Sequence, residues 1–502
     1  MTEIPESSIS RYSRDQFKVW INLKSSPGEK FLLGIFVILS VLFLYITFLN
    51  WAYDDPFITF RYAKNLVAGY GFVYNPGERI LSTTTPLFTL LLSAIHLVTT
   101  DIHFLATLIG VVSLIIGGLL LFDLSRSWNS LLVGWTGLLL YTTFPLLART
   151  LGSETPLYLA LCIAVYAFYA RKRYELTAVF AGLATLARPD GILVPLILGA
   201  DYLMHRRGSI PWRPVVIFSG IVAAWVLFAW FYFGSPLPVT LLAKQRQGAM
   251  LISQGFIENF PSILSEYLRW PYVLQSILAI FGLIYALWKK RAWVVFLAWP
   301  ILYFLAYSFL GVSGYFWYYA PLVPGFIVAT GLGISGIRDL FHSIAKERSF
   351  WIGQTVNVMT GLLLLILLIS NVRNLYQASR QVDNRYAIYK ASGEWLRENT
   401  NPEDKVGSLE VGIIGYYSER TMVDFAGLIQ PKVAERLDPD STYEDAATWA
   451  IETYRPDYIV LQEGLFSDLE RNYTSRSCVS IKKFTGEQFQ YPWNLEIYDC
   501  SN

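Results

Sequence analysis

Cysteine, histidine and charge are all scarce in this chain of 502 residues, which carries three cysteines, four histidines and only 16% charged side chains. So few cysteines exclude a cysteine-built metal site. His96 and His103 have no second histidine at metal-ligand spacing and are expected to pack. There is no P-loop, Rossmann fingerprint, serine nucleophile elbow or zinc motif. Nucleotide-driven chemistry is therefore set aside, and nucleic acid has no support as a partner. Low-complexity stretches and clear internal repeats are missing too, which counts against a transporter built from repeated halves.

What is abundant is apolar surface. Hydrophobic residues make up 54% of the chain and aromatics 16%, a composition that defines a polytopic α-helical membrane protein. Trp and Tyr gather at the ends of apolar runs, as interfacial belts do. The first run, Phe31 to Trp51, is long and lacks a small-residue cleavage site. It reads as a retained helix, not a signal peptide.

The net charge of +2 says little until the charges are sorted by loop. Pro86–Leu97 is apolar but short. Treated as interfacial, it leaves about eleven spans at 31–51, 103–124, 130–149, 155–170, 174–187, 191–204, 214–233, 271–288, 292–310, 320–337 and 351–371. The basic clusters at Arg126, Arg171-Lys172-Arg173, His205-Arg206-Arg207, Lys289-Lys290-Arg291 and Arg338–Arg348 then share a side with the basic segment 1–30. The positive-inside rule makes that side cytoplasmic. Residues 372–502 follow outside, as a small α/β domain with strand-like runs at Lys405–Leu409 and Tyr458–Gln462. Cys478 and Cys500 lie in it, in an oxidising compartment, and a disulfide between them is expected.

Polar residues on the outer side converge. The first outer loop, 52–102, carries Asp54, Asp55, Arg61, Lys64 and Glu78; Glu154, Arg188, Asp190, Lys244 and Arg246 lie in later breaks. Two adjacent carboxylates at the mouth of a membrane helix are costly and point to function. An N-cap before Pro56 accounts for one of them, not both. Crowding and partial desolvation suit a carboxylate to act as general base. Arg188 either grips a phosphate or caps its own break by pairing with Asp190. Lys244 and Arg246 offer further cations for a phosphate or for lipid headgroups. Arg61 and Lys64 precede Gly69-Tyr70-Gly71, as in a helix with a glycine stop. Tyr315–Tyr319 reads as an aromatic belt, with stacking on a sugar ring or polyprenyl chain as the other option.

The run Asp54-Asp55-Pro56-Phe57-Ile58-Thr59-Phe60-Arg61-Tyr62-Ala63-Lys64-Asn65, with Gly69-Tyr70-Gly71-Phe72-Val73-Tyr74-Asn75-Pro76-Gly77-Glu78, resembles the first outer loop of GT-C fold glycosyltransferases. It is most similar to the Asp-Asp-motif cell-wall arabinofuranosyltransferases. Ser82–Pro86, Arg188-Pro189-Asp190-Gly191, Tyr232–Lys244, Trp317–Pro321, Val411–Tyr417 and Asp424–Leu428 extend the likeness. The resemblance implies a GT-C module over 31–371 in a bacterial-type plasma membrane. It implies transfer of a sugar from a polyprenyl-phosphate donor to a hydroxyl of a glycan, lipid or protein acceptor. Asp54 is then the general base. Asp55 assists by orientation or by holding a divalent cation (Mg, Mn or Ca). Arg188, Lys244 and Arg61 face the donor phosphate, with Glu154, Asp190, Lys64, Glu78 and Arg246 as accessory groups. A transporter or flippase of a lipid-linked glycan is the alternative, and a non-catalytic scaffold the third reading. Transport would favour acids in mid-span, whereas Asp123 and Asp201 sit at helix ends.

Overall fold

The computed structural model describes residues 26–48, 51–99, 101–205, 209–345, 350–380 and 384–501. Most of the basic segment 1–30, including Arg11, Arg14, Lys18 and Lys24, lies outside them.

A helix occupies every position expected to span. In chain order they are α1 (Pro27–Phe48), α2 (Asp55–Val67) and α3 (Pro86–His96) within the segment 52–102, then α4 (Ile102–Ser127), α5 (Leu131–Tyr141), α6 (Thr155–Ala170), α7 (Tyr174–Ala187), α8 (Leu193–His205), α9 (Trp212–Phe233), α10 (Val239–Ala249), α11 (Phe256–Glu266), α12 (Tyr272–Lys289), α13 (Ala292–Leu310), α14 (Val323–Ala345) and α15 (Phe350–Ser379). Among the described residues seven stretches are long and apolar enough to cross a membrane, and α3, α5, α6 and α7 are shorter apolar helices. One expected span differs. The run 130–149 forms α5 and a separate turn, Pro145–Ala148, because Pro145 has no N–H with which to continue the helix. With 11 residues, α3 reaches only about 16 Å, and it buries Phe88 and Leu92 beside α2.

The long helices differ in how much they bury. The apolar window of the stretch carrying α14 is 78% buried, against 6% for α9 and 11% for α15. Such bare faces suit a hydrocarbon solvent. α14 crosses α12 through glycine: a Cβ on Gly333 would overlap the carbonyl of Leu278, and one on Gly282 that of Ala329. Small residues let the two backbones touch, as membrane helix pairs require.

The bundle has two chemically distinct ends. Glu29 pairs with Arg126, Asp123 with Arg171, and Lys290 donates to the Asn129 carbonyl, which gathers the basic loops at one end. α4, 26 residues and about 39 Å long, separates Arg126 from His103, whose Nε2 meets the Trp51 carbonyl at the start of the segment 52–102.

The C-terminal part is an α/β unit. α15 runs into it without a break as far as Ser379. α16 (Arg385–Asn399), α17 (Ile413–Ser418) and α18 (Tyr443–Tyr454) accompany β1 (Lys405–Ser408), β2 (Thr421–Asp424), β3 (Tyr458–Gln462), β4 (Val479–Phe484) and β5 (Leu495–Asp499). The sheet order is β2-β1-β3-β5-β4; β1 is parallel to both neighbours, and β5 is antiparallel to both of its own. Cys478 and Cys500 are joined as a disulfide next to the paired residues Val479 and Asp499, while Cys162 is free and buried in α6.

Candidate active site

α2 is placed by its sequence. Pro56 presets the first turn, and Gly69 stops the chain at φ 84°, where a side chain would be strained. A helix advances about 100° per residue, so Asp54, Arg61 and Asn65 share one face, and Asp55 and Thr59 share another.

The first face belongs to the C-terminal domain. The Asp54 carboxylate accepts from the backbone N–H groups of Gly412 (2.8 Å) and Ile413 (2.7 Å) at the start of α17. It makes no capping bond to its own helix, although it occupies the N-cap position. Burial lifts its carboxyl well above the usual range, and Glu410 adds to this, against the two N–H donors. Arg61, buried, gives its N–H groups to the carbonyls of Tyr74, Gly415 and Arg420. A Cβ on Gly412 would collide with Asp54, and one on Gly415 with the Tyr74 hydroxyl. Lys64 meets Glu419 at 2.6 Å. Glu78 accepts from Asn75, whose side chain also bonds both backbone groups of Met422.

The second face opens on a cavity of about 430 Å³. Asp55 and Thr59 line it, with residues 82–85, Glu154, Arg188, Asp190, Lys244, Trp317 and Tyr318. Leu237, Leu241, Ala306 and Leu310 give it an apolar side, and Leu237 is 67% exposed there. Lys244 of α10 sits 3.4 Å from the Asp55 carboxylate, the Lys buried and the Asp partly open. A stacked column holds the ammonium. Tyr53 lies on Trp317 at 5.1 Å, Trp317 on Tyr315 at 4.6 Å, and the Lys244 Nζ 3.9 Å above the Tyr315 ring. Burial works against the charge on Lys244, but Asp55 and Tyr318 more than offset it and raise its pKa.

Arg188 meets the same cavity in another way. Its chain is extended (φ −153°) between α7 and the turn Pro189–Ile192. Its guanidinium donates to both Asp190 oxygens, Glu154, Thr155, Tyr303 and Tyr307, so every N–H is used. Burial raises the Glu154 carboxyl, and Arg188 works against that rise. Of the two readings of Arg188, the geometry matches the internal pair.

Several expected site residues therefore stand elsewhere. Asp54, the expected base, is outside the cavity lining, because its oxygens are spent on Gly412 and Ile413. Arg61 cannot meet a phosphate, because it is 3% exposed and bonded to three carbonyls. Lys64, Glu78 and Arg246, the last paired with Asp438, face the domain or its junction. The aromatic run 315–319 is no lipid belt; Trp317 is sandwiched between two rings, and Tyr319 is buried on Phe256. That sandwich also leaves no open face on Trp317 for a sugar. His103 packs against Phe57 and Tyr386. The residues do not fit a divalent cation at Asp55: its near neighbour is a lysine, and among the described residues no three His, Cys, Asp or Glu side chains gather. Reading by charge missed Tyr53, Thr59 and Thr240; the four-residue spacings from Asp55 to Thr59 and from Thr240 to Lys244 were the available signal.

These features define a polytopic integral membrane protein of the GT-C fold, with a sheet domain at the end of its bundle away from the basic loops. The crystal structure of ArnT from Cupriavidus metallidurans bound to undecaprenyl phosphate superposes with a TM-score of 0.60 at 14% identity, covering 93% of this chain and 97% of that one. An Archaeoglobus fulgidus oligosaccharyltransferase tethered to an acceptor peptide gives 0.58 at 14% identity, over 88% of this chain and 70% of that one. In sequence, the chain is 29% identical over 257 residues to a terminal β-(1→2)-arabinofuranosyltransferase of Mycobacterium tuberculosis, a match covering 45% of this chain and 40% of that protein. Residues 373–498 match a family described as a domain of unknown function (DUF8728).

Proposed function

We propose that this protein is a membrane glycosyltransferase. It moves a sugar from a polyprenyl-phosphate donor to a hydroxyl of a cell-envelope glycan, lipid or protein acceptor, with Asp55 as general base. The observation that carries the reading is the Asp55–Lys244 pair, an acid and a cation 3.4 Å apart on the wall of a cavity with one apolar side. The likeness to an arabinofuranosyltransferase and the shared fold with a protein holding undecaprenyl phosphate support it.

In this mechanism the polyprenyl chain lies along the apolar side, and the phosphate meets Lys244. The phosphate draws the ammonium away from Asp55 and frees the carboxylate. The acceptor hydroxyl gives its proton to Asp55 as its oxygen attacks the anomeric carbon. The bond from that carbon to the phosphate oxygen breaks, and the lipid phosphate leaves. Charge grows on the phosphate as the bond lengthens, which is where a fixed ammonium helps most. A single displacement inverts the anomeric centre. Arg188, saturated by its neighbours, shapes the wall. The basic end of the bundle faces the cytoplasm, and the cavity and residues 372–502 are extracytoplasmic.

The test is to reconstitute the protein with a panel of polyprenyl-phosphate sugars and an envelope glycan acceptor, and to follow donor consumption. One donor should be consumed by the wild type and not by Asp55→Asn. No turnover with any donor, or full turnover by Asp55→Asn, would overturn the assignment.

A further inference from the structure

One turn from the Asp55–Lys244 pair lies a layer of neutral hydroxyls. Thr59 follows Asp55 by four residues on α2, and Thr240 precedes Lys244 by four on α10, so each sits about 5–6 Å along its helix from the charged partner. The Val239 N–H donates to the Leu81 carbonyl at 2.8 Å, which seats the start of α10 beside Thr83 and Thr85. Thr59, Thr83 and Thr85 bond only loosely to one another, at 3.1–3.3 Å, and all four threonines line the cavity. The Thr240 hydroxyl is buried with no partner at all. Buried hydroxyls are normally paired, so an unpaired one on a residue that lines a cavity marks a place for a ligand. Hydroxyls both donate and accept, as sugar hydroxyls do, whereas phosphate oxygens only accept and are better served by Lys244.

We propose that Thr59, Thr83, Thr85 and Thr240 form the subsite that reads the donor sugar's hydroxyls. The proposal rests on the donor reading above, and binding separates the two. Dissociation constants are measured for the polyprenyl-phosphate sugar that the wild type consumes in the panel above and for undecaprenyl phosphate alone. Thr240→Val should weaken the sugar-bearing lipid five- to tenfold and leave the sugar-free lipid within twofold, while Thr240→Ser restores most of the loss. Equal weakening of both lipids, or of neither, overturns the subsite. If the wild type binds undecaprenyl phosphate but gains nothing from the sugar, the subsite falls and the lipid reading stands. If it binds neither, both fall.

A second inference rests on different contacts. Asp54, next to Asp55, is held by Gly412 and Ile413 of the C-terminal domain. Two and three residues past Lys244, Arg246 pairs with Asp438, and Gln247 donates to the Ala426 carbonyl at 3.0 Å. Both members of the central pair are thus braced from their chain neighbours by one domain. We infer that the domain at 373–498 sets the Asp55–Lys244 separation, with Asp54 as a positioning residue. The readout is the pH dependence of Lys244 labelling by an amine reagent in the intact protein, alongside kcat. Asp54→Asn should lower the apparent pKa of Lys244 as Asp55 moves off. It should cut kcat at least tenfold with donor KM within twofold. Ile451→Ala, which thins the buried core of the domain without removing a brace, should lower Tm without moving Lys244. Wild-type labelling of Lys244 in Asp54→Asn overturns the brace, whatever becomes of transfer.

Discussion

Two charged clusters face one cavity, and they are built oppositely. Arg188 has all its donors engaged and is almost completely buried among Asp190, Glu154 and two tyrosines. Asp55 and Lys244 share one contact at 3.4 Å, and the Asp55 side chain is 31% exposed. A saturated charge is a strut, because a ligand can approach it only by breaking bonds already made. A charge with one long contact can be re-partnered at little cost. Proximity to a cavity does not separate the two clusters; unused hydrogen-bonding capacity does.

The largest effect should come from the loosely held pair. Asp55→Asn keeps the shape and removes the proposed base, so sugar transfer should fall at least 1000-fold, about 4 kcal/mol of transition-state stabilisation. The melting temperature in detergent should stay within about 2 °C of wild type. A variant that transfers normally would make Asp55 another strut and erase the contrast.

The saturated cluster should fail through stability. Arg188→Met leaves Asp190 and Glu154 without their cation, a loss of about 3–5 kcal/mol. The neutral triple variant, Arg188→Met with Glu154→Gln and Asp190→Asn, should regain much of it, measured as thermal shift and yield. Were Arg188→Met fully stable and only weaker for the donor, Arg188 would belong with Lys244 as a phosphate ligand.

The helices were legible because each is an apolar run bounded by charge, proline or glycine, and Pro145 was the one interruption passed over. Of the ten charged residues singled out from the sequence, five, Asp55, Glu154, Arg188, Asp190 and Lys244, line one cavity, since acids and bases at helix ends tend to converge. Their division of labour was not legible. The face on which Asp54 lies is decided by Gly412 and Ile413, more than 350 residues away, through backbone N–H groups that carry no side-chain signature. Arg61 looked like a phosphate ligand for the same reason: its partners are carbonyls of Gly415 and Arg420, available at any residue type. The pair Arg188–Asp190 was readable because both members lie within one short break.

Asp424 extends the comparison to a buried acid held by peptide groups. Its carboxylate accepts from the N–H groups of Ala426 (2.7 Å) and Ile429 (2.9 Å) and is fully buried. Burial still raises its pKa from 3.8 to about 6. Between those values the folded chain keeps a proton that the unfolded chain releases. The stabilisation is complete below 3.8 and is lost as the pH rises through about 6, a change on the order of 3 kcal/mol. Melting temperatures across this range should fall with rising pH in the wild type, and the slope should shrink in Asp424→Asn. An unchanged slope would mean that the peptide donors outweigh burial.

The smallest effect should come from the most conspicuous ion pair. Lys64 and Glu419 lie 2.6 Å apart, closer than Lys244 and Asp55, yet their side chains are 30% and 44% exposed. Water screens them, and ordering two long side chains offsets much of the attraction, so such pairs contribute about 0–1 kcal/mol. Lys64→Ala should therefore shift the melting temperature by about 1 °C or less and leave transfer unchanged. Its neighbour on the same face of α2, Arg61, is 3% exposed with three carbonyl acceptors, and Arg61→Ala should destabilise far more because those acceptors stay buried and unpaired. Measured together, the two variants separate the length of a contact from its worth. A loss of transfer in Lys64→Ala would show that the domain face of α2 is tuned even at its solvent-exposed rim, and that distance rather than exposure ranks these charges.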